Sequence, residues 1–173
     1  MIAFMDRVAG EKHRPADRPR LAQIFIAGDR GAPMRALERV EAVVGRGLSG
    51  DRYAAGRGTF SSRAAVMAGA REVSLVTKEA VIACGQRLGS PIEAAALRRN
   101  LVVSNLDLMT LRGRLLQIGD VRLEIVSSCP PCGYLSRLLG QDVRTGLHRI
   151  GGMRAAVRTG GTLVAGQEIE IEP

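Results

Sequence analysis

The sequence predicts a mainly β domain, arranged as a barrel and accompanied by two or three short helices. Short runs of alternating apolar and polar residues, typical of half-buried strands, recur along the chain. Glycine-containing turns separate several of these runs, as at 119–120, 160–161 and 165–166. A parallel doubly wound fold would need regular alternation of strands with helices of about ten or more residues, a pattern that the sequence lacks. A chain of 173 residues is long enough to bury the core of one such domain.

The predicted strands follow one another along most of the chain. In each of them, apolar residues recur at every second position or form a short uninterrupted run that ends at a polar or glycine residue. We expect strands at residues 21–27, 39–44, 72–76, 101–103, 114–118, 121–127, 154–159, 163–164 and 168–172.

One helix is predicted clearly, over residues 79–88. Thr77 suits the position before it, because a threonine hydroxyl can accept a hydrogen bond from a free backbone N–H at the start of a helix. Gly89 is typical of the position after a helix. Cys84 lies on the apolar face of this helix and is therefore interpreted as a core residue.

The chain divides into an extension and one domain. Residues 1–20 end in a stretch, 13–20, that is polar, contains two prolines and lacks periodicity, so we expect a poorly ordered N-terminal extension. The domain is expected over residues 21–173. Within it, a glycine-rich stretch from 45 to about 71 has little periodicity, and loops of that length are usually functional or disordered.

Composition limits the classes of partner. The net charge of +8 comes almost entirely from arginine, since Lys12 and Lys78 are the only lysines. Aromatic residues make up 3% of the chain and tryptophan is absent, so a base-stacking platform for nucleic acid is not expected, whereas arginine suits a smaller anion such as phosphate. No apolar run approaches the roughly 20 residues of a membrane helix. Three cysteines without a recognisable export signal predict reduced thiols and a cytoplasmic protein.

Cys132 is the strongest chemical signal. It ends the motif Cys-Pro-Pro-Cys at 129–132, which follows the predicted strand 121–127 and precedes leucines at helical spacing. The prolines would end the strand ladder and suit the first turn of a helix. Free backbone N–H groups and the helix dipole could stabilise a thiolate at such a position, and a thiolate is a nucleophile and a ligand for soft metals.

Three other interpretations of Cys132 stay open at this point. It could be a small buried apolar residue, it could form a redox pair with Cys129, or it could be half of a zinc site. Zinc is the least favoured, because the chain has no second Cys-x-x-Cys motif, only two histidines and one further thiol, Cys84. A redox pair would normally lie in a βαβ unit, which the pattern does not predict.

The remaining candidates are charged or polar. Arg98, Arg99 and Asn100 precede a predicted strand, where one of the arginines could bind an anionic group that the Asn100 amide orients. The two adjacent arginines could instead simply be solvated charge. Asp51 and Arg52 could close an ordinary turn through an ion pair. His148 lies in a segment rich in glycine and arginine, and is either a structural hydrogen-bonding residue or a catalytic group.

Five segments in this order resemble the MOSC family, named for the C-terminal domain of molybdenum cofactor sulfurases. The resemblance extends over about residues 21–172, as expected for a stand-alone form of the domain. The matching segments are 47–53, 98–103, 116–120, 129–132 and 154–169. The resemblance implies a β-barrel fold, in agreement with the strand pattern.

The resemblance also implies a link to the molybdenum cofactor, a pterin that carries the metal on a dithiolene and ends in a phosphate. A cysteine corresponding to Cys132 is thought to ligate the metal or to carry sulfur as a persulfide in related proteins. Cys132 and His148 are accordingly our candidate catalytic residues, with Cys132 as the metal ligand. The candidate cofactor-binding residues are Asp51, Arg52, Arg98, Asn100 and Arg154.

Two functions follow from the resemblance, and a third competes with them. The protein would reduce N-hydroxylated small molecules with electrons from a partner protein, or would carry sulfur delivered by a cysteine desulfurase. The pyridoxal-phosphate domain of the sulfurases and the N-terminal β-barrel of the mitochondrial amidoxime-reducing proteins are both absent from this sequence. The alternative is a basic binding module for nucleic acid or another anionic partner, without catalysis.

Overall fold

The fold is described from a computed structural model, which covers residues 18–62 and 68–173. The predicted N-terminal extension, residues 1–20, lies outside the described residues except for its last three positions. Arg20 already opens the first strand, and Arg18 and Arg20 both pair with Glu168.

Strands dominate the described part of the chain. They are β1 (Arg20–Ile26), β2 (Arg35–Leu37), β3 (Arg39–Val43), β4 (Gly47–Leu48), β5 (Val73–Thr77), β6 (Leu101–Ser104), β7 (Leu115–Ile118), β8 (Val121–Ser128), β9 (Met153–Thr159), β10 (Gly161–Val164) and β11 (Glu170–Glu172). The α-helices are α1 (Lys78–Leu88), α2 (Gly133–Leu139) and α3 (Val143–Gly146), and two 3-10 helices span Ala94–Leu97 and Leu108–Thr110. The mainly β class with a few short helices is therefore confirmed.

The described strands form two open sheets instead of one closed barrel. One sheet has eight strands in the order β11-β7-β8-β9-β5-β6-β1-β2, and the other has three in the order β10-β3-β4. The two ends of the large sheet approach each other where Leu21 exchanges backbone hydrogen bonds with residues 166–167. A bulge between Leu21 and Gln23 interrupts β1, and beyond it β1 pairs with β2. The edge of β1 is thus divided between two partners, and no continuous ladder closes the sheet.

Alternation along the strands produces two cores. Leu75 and Leu101 face the apolar interior enclosed by the sheets, whereas Val76 and Val102 face the helices. Helix α1 covers that second face and joins β5 to β6, the parallel pair in the described sheet. Cys84 is fully buried in the core between the sheet and the helices, which confirms its interpretation as a core residue.

The ends of helix α1 agree with the capping residues that the sequence predicts. Thr77 precedes α1, and its hydroxyl accepts a hydrogen bond from the Ala80 N–H at 3.0 Å, while Gly89 ends the helix in the left-handed conformation. Cys132 precedes α2 as its N-cap residue, in extended backbone. Strands β2 and β4 and helix α3 were not predicted. None of the described helices is long and apolar enough to cross a membrane.

Gly152 is a point where only glycine fits. Its φ of 102° lies in the left-handed region, and a Cβ added there would overlap the backbone carbonyl of Leu75 on the neighbouring strand β5. The Gly152 carbonyl also accepts the Cys129 N–H at 2.8 Å. The start of β9 therefore fixes both β5 and the segment that leads to Cys132.

We predict that Gly152→Ala destabilises the fold by about 3 kcal/mol or more, because backbone strain adds to the steric overlap. Gly28→Ala is the matched control, since a Cβ at Gly28 meets open space and should change stability by less than about 1 kcal/mol. Urea titration gives the free energy of unfolding of both variants. Equal stability of the two would contradict the assigned backbone.

Candidate functional site

One cavity collects most of the candidate residues. It has a volume of about 300 Å³ and lies where the loop after β4, the start of β5, residues 98–100 and the start of α2 meet. Its lining includes five of the seven candidates: Arg52, Arg98, Asn100, Cys132 and Arg154. The sequence separates these residues by up to about a hundred positions, and the strand order brings them together.

Asp51 lies beneath this cavity, with no exposed surface. Its Oδ1 accepts hydrogen bonds from the Ala27 N–H, the Arg52 guanidinium and the Asn100 amide, each at 3.2 Å. Its Oδ2 accepts the Tyr53 N–H at 3.1 Å. The carboxylate is fully hydrogen-bonded within the protein, so its role is to hold its neighbours in place rather than to contact a ligand.

Asn100 is equally well satisfied. Its side-chain oxygen accepts from the backbone N–H and the hydroxyl of Ser74, at 3.1 and 3.0 Å. Its side-chain NH₂ donates to Asp51 and to the Phe25 carbonyl, each at 3.2 Å. The amide therefore joins β1, β5 and β6 below the cavity, and little of its hydrogen-bonding capacity is left for a ligand.

Arg52 and Arg98 bring two positive charges to the cavity wall. Arg52 is 5% exposed, pairs with Asp51 and lies over the Tyr53 ring, with 5.0 Å between its guanidinium carbon and the ring centroid. Arg98 has a left-handed φ of 58° and donates through Nη1 to the Ala32 carbonyl at 2.7 Å. Within the described residues, Nη2 of Arg98 is buried and has no hydrogen-bond partner.

Burial, followed by repulsion from Arg52, lowers the pKa of Arg98. An arginine remains protonated even so, because its ordinary pKa lies far above neutral pH. The positive charge of Arg98 is thus held at a free-energy cost, which an anion in the cavity would reduce.

Arg99 has a different role from its neighbour. It is 8% exposed and donates to the carbonyls of Gly151, Leu97 and Cys129, at 3.0, 3.2 and 2.9 Å. All three acceptors are backbone groups, so Arg99 fixes the segment that carries Cys129. Arg98 and Arg99 are adjacent in the sequence, and adjacency alone does not show that Arg99 donates to backbone carbonyls while Arg98 keeps one nitrogen without a partner among the described residues.

The three thiols are free and differ in exposure. Cys84 is completely buried in the helical core, Cys129 is 6% exposed, and Cys132 is half-buried at the wall of the cavity. Burial raises the pKa of the Cys84 thiol above its ordinary value. Cys129 and Cys132 both line the cavity, and Cys132 is the most exposed of the three thiols.

The charge of the cavity is one-sided. The lining contributed by described residues contains five arginines and no carboxylate: Arg52, Arg71, Arg98, Arg99 and Arg154. Two tyrosines that sequence reasoning missed, Tyr53 and Tyr134, also line the cavity. Their only signal in the sequence is position, since each follows a candidate residue by one or two places.

His148 lies elsewhere. It lines a second, more open cavity with arginines of the 144–149 segment, and it is absent from the described lining of the first. Pro130 and Pro131 belong to both cavities, so this short segment stands between His148 and the thiol. The sequence offered both His148 and Cys132 as candidate catalytic residues, and the structure places them in different cavities.

A bare metal ion has no ready-made site in the part of the chain that the structure describes. No three histidine, cysteine or carboxylate side chains there are grouped to hold one. A metal at Cys132 would have to arrive with further ligands of its own.

Fold and site thus define a class of protein: a mainly β domain with a half-buried thiol, Cys132, in an arginine-lined cavity. The chain belongs to the MOSC domain family, which matches residues 49–170. This match includes all seven candidate site residues.

Solved structures share the fold. The YuaD protein of Bacillus subtilis aligns with 88% of this chain and 94% of its own, at a TM-score of 0.76 and 21% sequence identity. YiiM of Geobacillus stearothermophilus aligns with 90% of this chain and 75% of its own, at a TM-score of 0.68 and 13% identity. YiiM of Escherichia coli aligns with 89% of this chain and 70% of its own, at a TM-score of 0.64 and 15% identity. No curated protein sequence matches the chain.

We predict that Asp51→Asn destabilises the protein by about 2–4 kcal/mol. The new NH₂ group would face the N–H of Ala27 or of Tyr53 in either orientation, and Arg52 would lose its partner charge. Asp29→Asn removes an exposed ion pair with Arg57 and should cost less than about 1 kcal/mol. Denaturant titration measures both, and a neutral Asp51→Asn would show that the carboxylate does not organise the site.

We also predict a strict order of thiol reactivity in the folded apo-protein. Iodoacetamide at neutral pH should modify Cys132 first, and should modify Cys84 only after unfolding in guanidinium. Peptide mass mapping reads the result, with fragment spectra to separate Cys129 from Cys132, since both lie between Arg122 and Arg137. Native protein in which Cys132 stays unmodified would contradict the site described above.

Proposed function

We propose that this protein binds the molybdenum cofactor in the cavity, with the Cys132 thiolate as the protein ligand to the metal. The observation that carries the proposal is the shared lining: an accessible thiol lies in the same cavity of about 300 Å³ as five arginines, with no carboxylate among the described lining residues. Membership of the MOSC domain family supports it.

The donor chemistry fits the two ends of the cofactor. A thiolate is a soft ligand that suits molybdenum, and guanidinium groups bind phosphate through paired charged hydrogen bonds. Arg98 offers the best phosphate contact, because its buried Nη2 lacks a partner among the described residues. Arg52 and Arg154 lie in the same wall and would share the charge.

Among the described residues no cluster of side chains is grouped to hold a bare metal ion, so a metal at Cys132 would need the further ligands that the dithiolene supplies. When bound, the cofactor supplies two-electron redox chemistry at the metal. The role of the chain is to fix the thiol, since Arg99 and the Gly152 carbonyl hold Cys129, three residues earlier. Tyr53 and Tyr134 would line the space left for a small N-hydroxylated substrate, and electrons would come from a partner protein.

A second function, sulfur carriage, uses the same thiol. Its support is the partial exposure of Cys132, which lets a sulfur donor such as a cysteine desulfurase approach. In that case Cys132 would hold the sulfur as a persulfide, and the arginines would orient an anionic acceptor. The two functions can be distinguished by what the purified protein carries: molybdenum for the first function and sulfane sulfur for the second.

We predict that protein from a host that makes the pterin cofactor contains molybdenum close to one atom per chain, and that Cys132→Ser abolishes it. Cys129→Ser is the matched control: it changes the other thiol of the motif, which also lines the cavity but is only 6% exposed, so metal content should remain. Elemental analysis measures the molybdenum content of each protein, and release of the pterin measures its cofactor content.

Arg98→Gln should lower pterin content without unfolding the protein, because it removes a positive charge that burial disfavours.

Cyanide-labile sulfur on Cys132, with no molybdenum in the same preparation, would favour sulfur carriage. Salt-sensitive binding of random oligonucleotides that is unchanged by Cys132→Ser, again without metal, would favour the basic binding module instead.

A further inference from the structure

A second concave surface lies beside the cofactor cavity. It has a volume of about 780 Å³, and the described residues that line it come from α1, the segment 130–131 and the stretch 142–150. We call it the basic groove. Its cationic side chains are Arg87, Arg144 and Arg149, and His148 lies among them.

The one carboxylate in the described lining of this groove is already engaged. Asp142 accepts from the Thr145 hydroxyl at 2.6 Å and from the Thr145 backbone N–H at 3.4 Å. These bonds, chiefly the hydroxyl, lower the pKa of Asp142. Asp142 therefore stays ionised as the N-cap of α3, and three arginines still outnumber it.

The arginines differ in how far they are committed. Nη1 of Arg87 donates to the carbonyls of Gly146 and His148, at 3.1 and 3.0 Å, and so builds the wall. Arg144 and Arg149 are exposed, and neither side chain forms a hydrogen bond or ion pair with any described residue. Arg149 is also one of three described residues other than glycine with a positive φ, 64°. Arg144 also interacts electrostatically with the Asp142 carboxylate. The fold thus presents two exposed guanidiniums that lack hydrogen-bond partners among the described residues.

Position links the groove to the thiol. Pro130 and Pro131 line both the basic groove and the cofactor cavity, and Cys132 is the next residue. A molecule bound in the groove would therefore contact Pro130 and Pro131, which also line the cofactor cavity. The groove is also the larger and more open of the two, and its described lining contains no phenylalanine, tyrosine or tryptophan, so His148 is the one ring there that could stack on a base.

We propose that the basic groove is the docking surface for a protein partner that presents clustered carboxylates, and that this partner serves the Cys132 site. The inference rests on the proposed function, because it assigns the partner of that same site. Charge complementarity supports it: opposite charges steer association and fix orientation, and exposed arginines that lack hydrogen-bond partners among the described residues can form such contacts without first breaking hydrogen bonds.

The test uses apo-protein and short poly-L-glutamate as the probe for a carboxylate-rich surface. We expect wild-type protein to bind it in low salt and to lose it as salt rises, since charges are screened beyond about 10 Å at 0.1 M. The double variant Arg144→Glu/Arg149→Glu should bind at least about tenfold more weakly. Arg39→Glu/Arg46→Glu is the matched control, because it reverses two exposed arginines that line neither cavity and should bind as wild type.

A second readout ties the groove to the thiol. Poly-L-glutamate should slow iodoacetamide modification of Cys132 in wild-type and control protein, but not in the groove variant. Equal binding by the two double variants, or binding without protection of Cys132, would overturn the proposal. So would groove-dependent binding of oligothymidylate that is tighter than that of poly-L-glutamate, which would identify a nucleic-acid surface.

Molybdenum content separates this inference from the proposed function. The groove variant should retain wild-type metal and pterin, because Arg144 and Arg149 lie outside the cofactor cavity. Loss of metal in that variant would make the groove part of the cofactor site and overturn the docking assignment. Groove-dependent binding in a wild-type protein without metal would uphold the docking surface and reject only cofactor binding.

Discussion

The buried carboxylate of Asp51 is the constraint on which the site depends. Four donors converge on it: two backbone N–H groups, one amide and one guanidinium. They come from the residue after β1, the loop after β4 and the residue before β6, so one side chain fixes the relative positions of three otherwise separate segments. A fully buried charge is tolerated only with such complete compensation, which makes the arrangement sensitive to loss of any one partner.

The cavity inherits its character from this arrangement. Asp51 turns Arg52 into the wall and satisfies part of its charge, but Arg98 receives no comparable partner among the described residues. Burial and the nearby Arg52 both disfavour the protonated form of Arg98, as the direction of its pKa shift indicates. An anion bound between the two arginines would relieve that repulsion. Ligand binding and fold stability are therefore coupled at this point, since a group that binds only the folded chain stabilises it.

Local rules explain how much of the fold could be predicted. The alternation in 121–127 matches β8, and the threonine and glycine around α1 mark its ends as capping requires. Strands β2 and β4 could not be predicted, because they have only three and two residues, too few to show a periodic pattern. Helix α3 could not be predicted either, because its four residues form barely one helical turn. Closure of a barrel is a question of long-range pairing, and no local pattern shows that β1 bulges and divides its edge between two partners.

The candidate site, like the fold, could be predicted from the sequence only in part. Residue chemistry identified Cys132 as a possible nucleophile or metal ligand and Arg98 as a possible anion-binding group, and the family resemblance added Arg52. All three line the cavity. It could not assign Arg98 and Arg99 to opposite roles, because the left-handed backbone at Arg98 turns neighbouring side chains in different directions. It also offered both His148 and Cys132 as catalytic candidates, although the two residues line different cavities, with Pro130 and Pro131 between them. Residue type is local information, whereas side-chain direction depends on tertiary contacts.

That proline segment gives the thiol its fixed position. Arg99 holds the carbonyl of Cys129 and Gly152 accepts its N–H, so the segment is anchored at its first residue. Gly151 packs against Pro131, where even a methyl group would come within 2.8 Å of the ring. Two prolines with restricted φ then lead directly into α2. Cys132 is consequently positioned by the fold before any ligand arrives, and a ligand that meets a preorganised thiol loses less free energy to ordering than one that must fix a mobile loop.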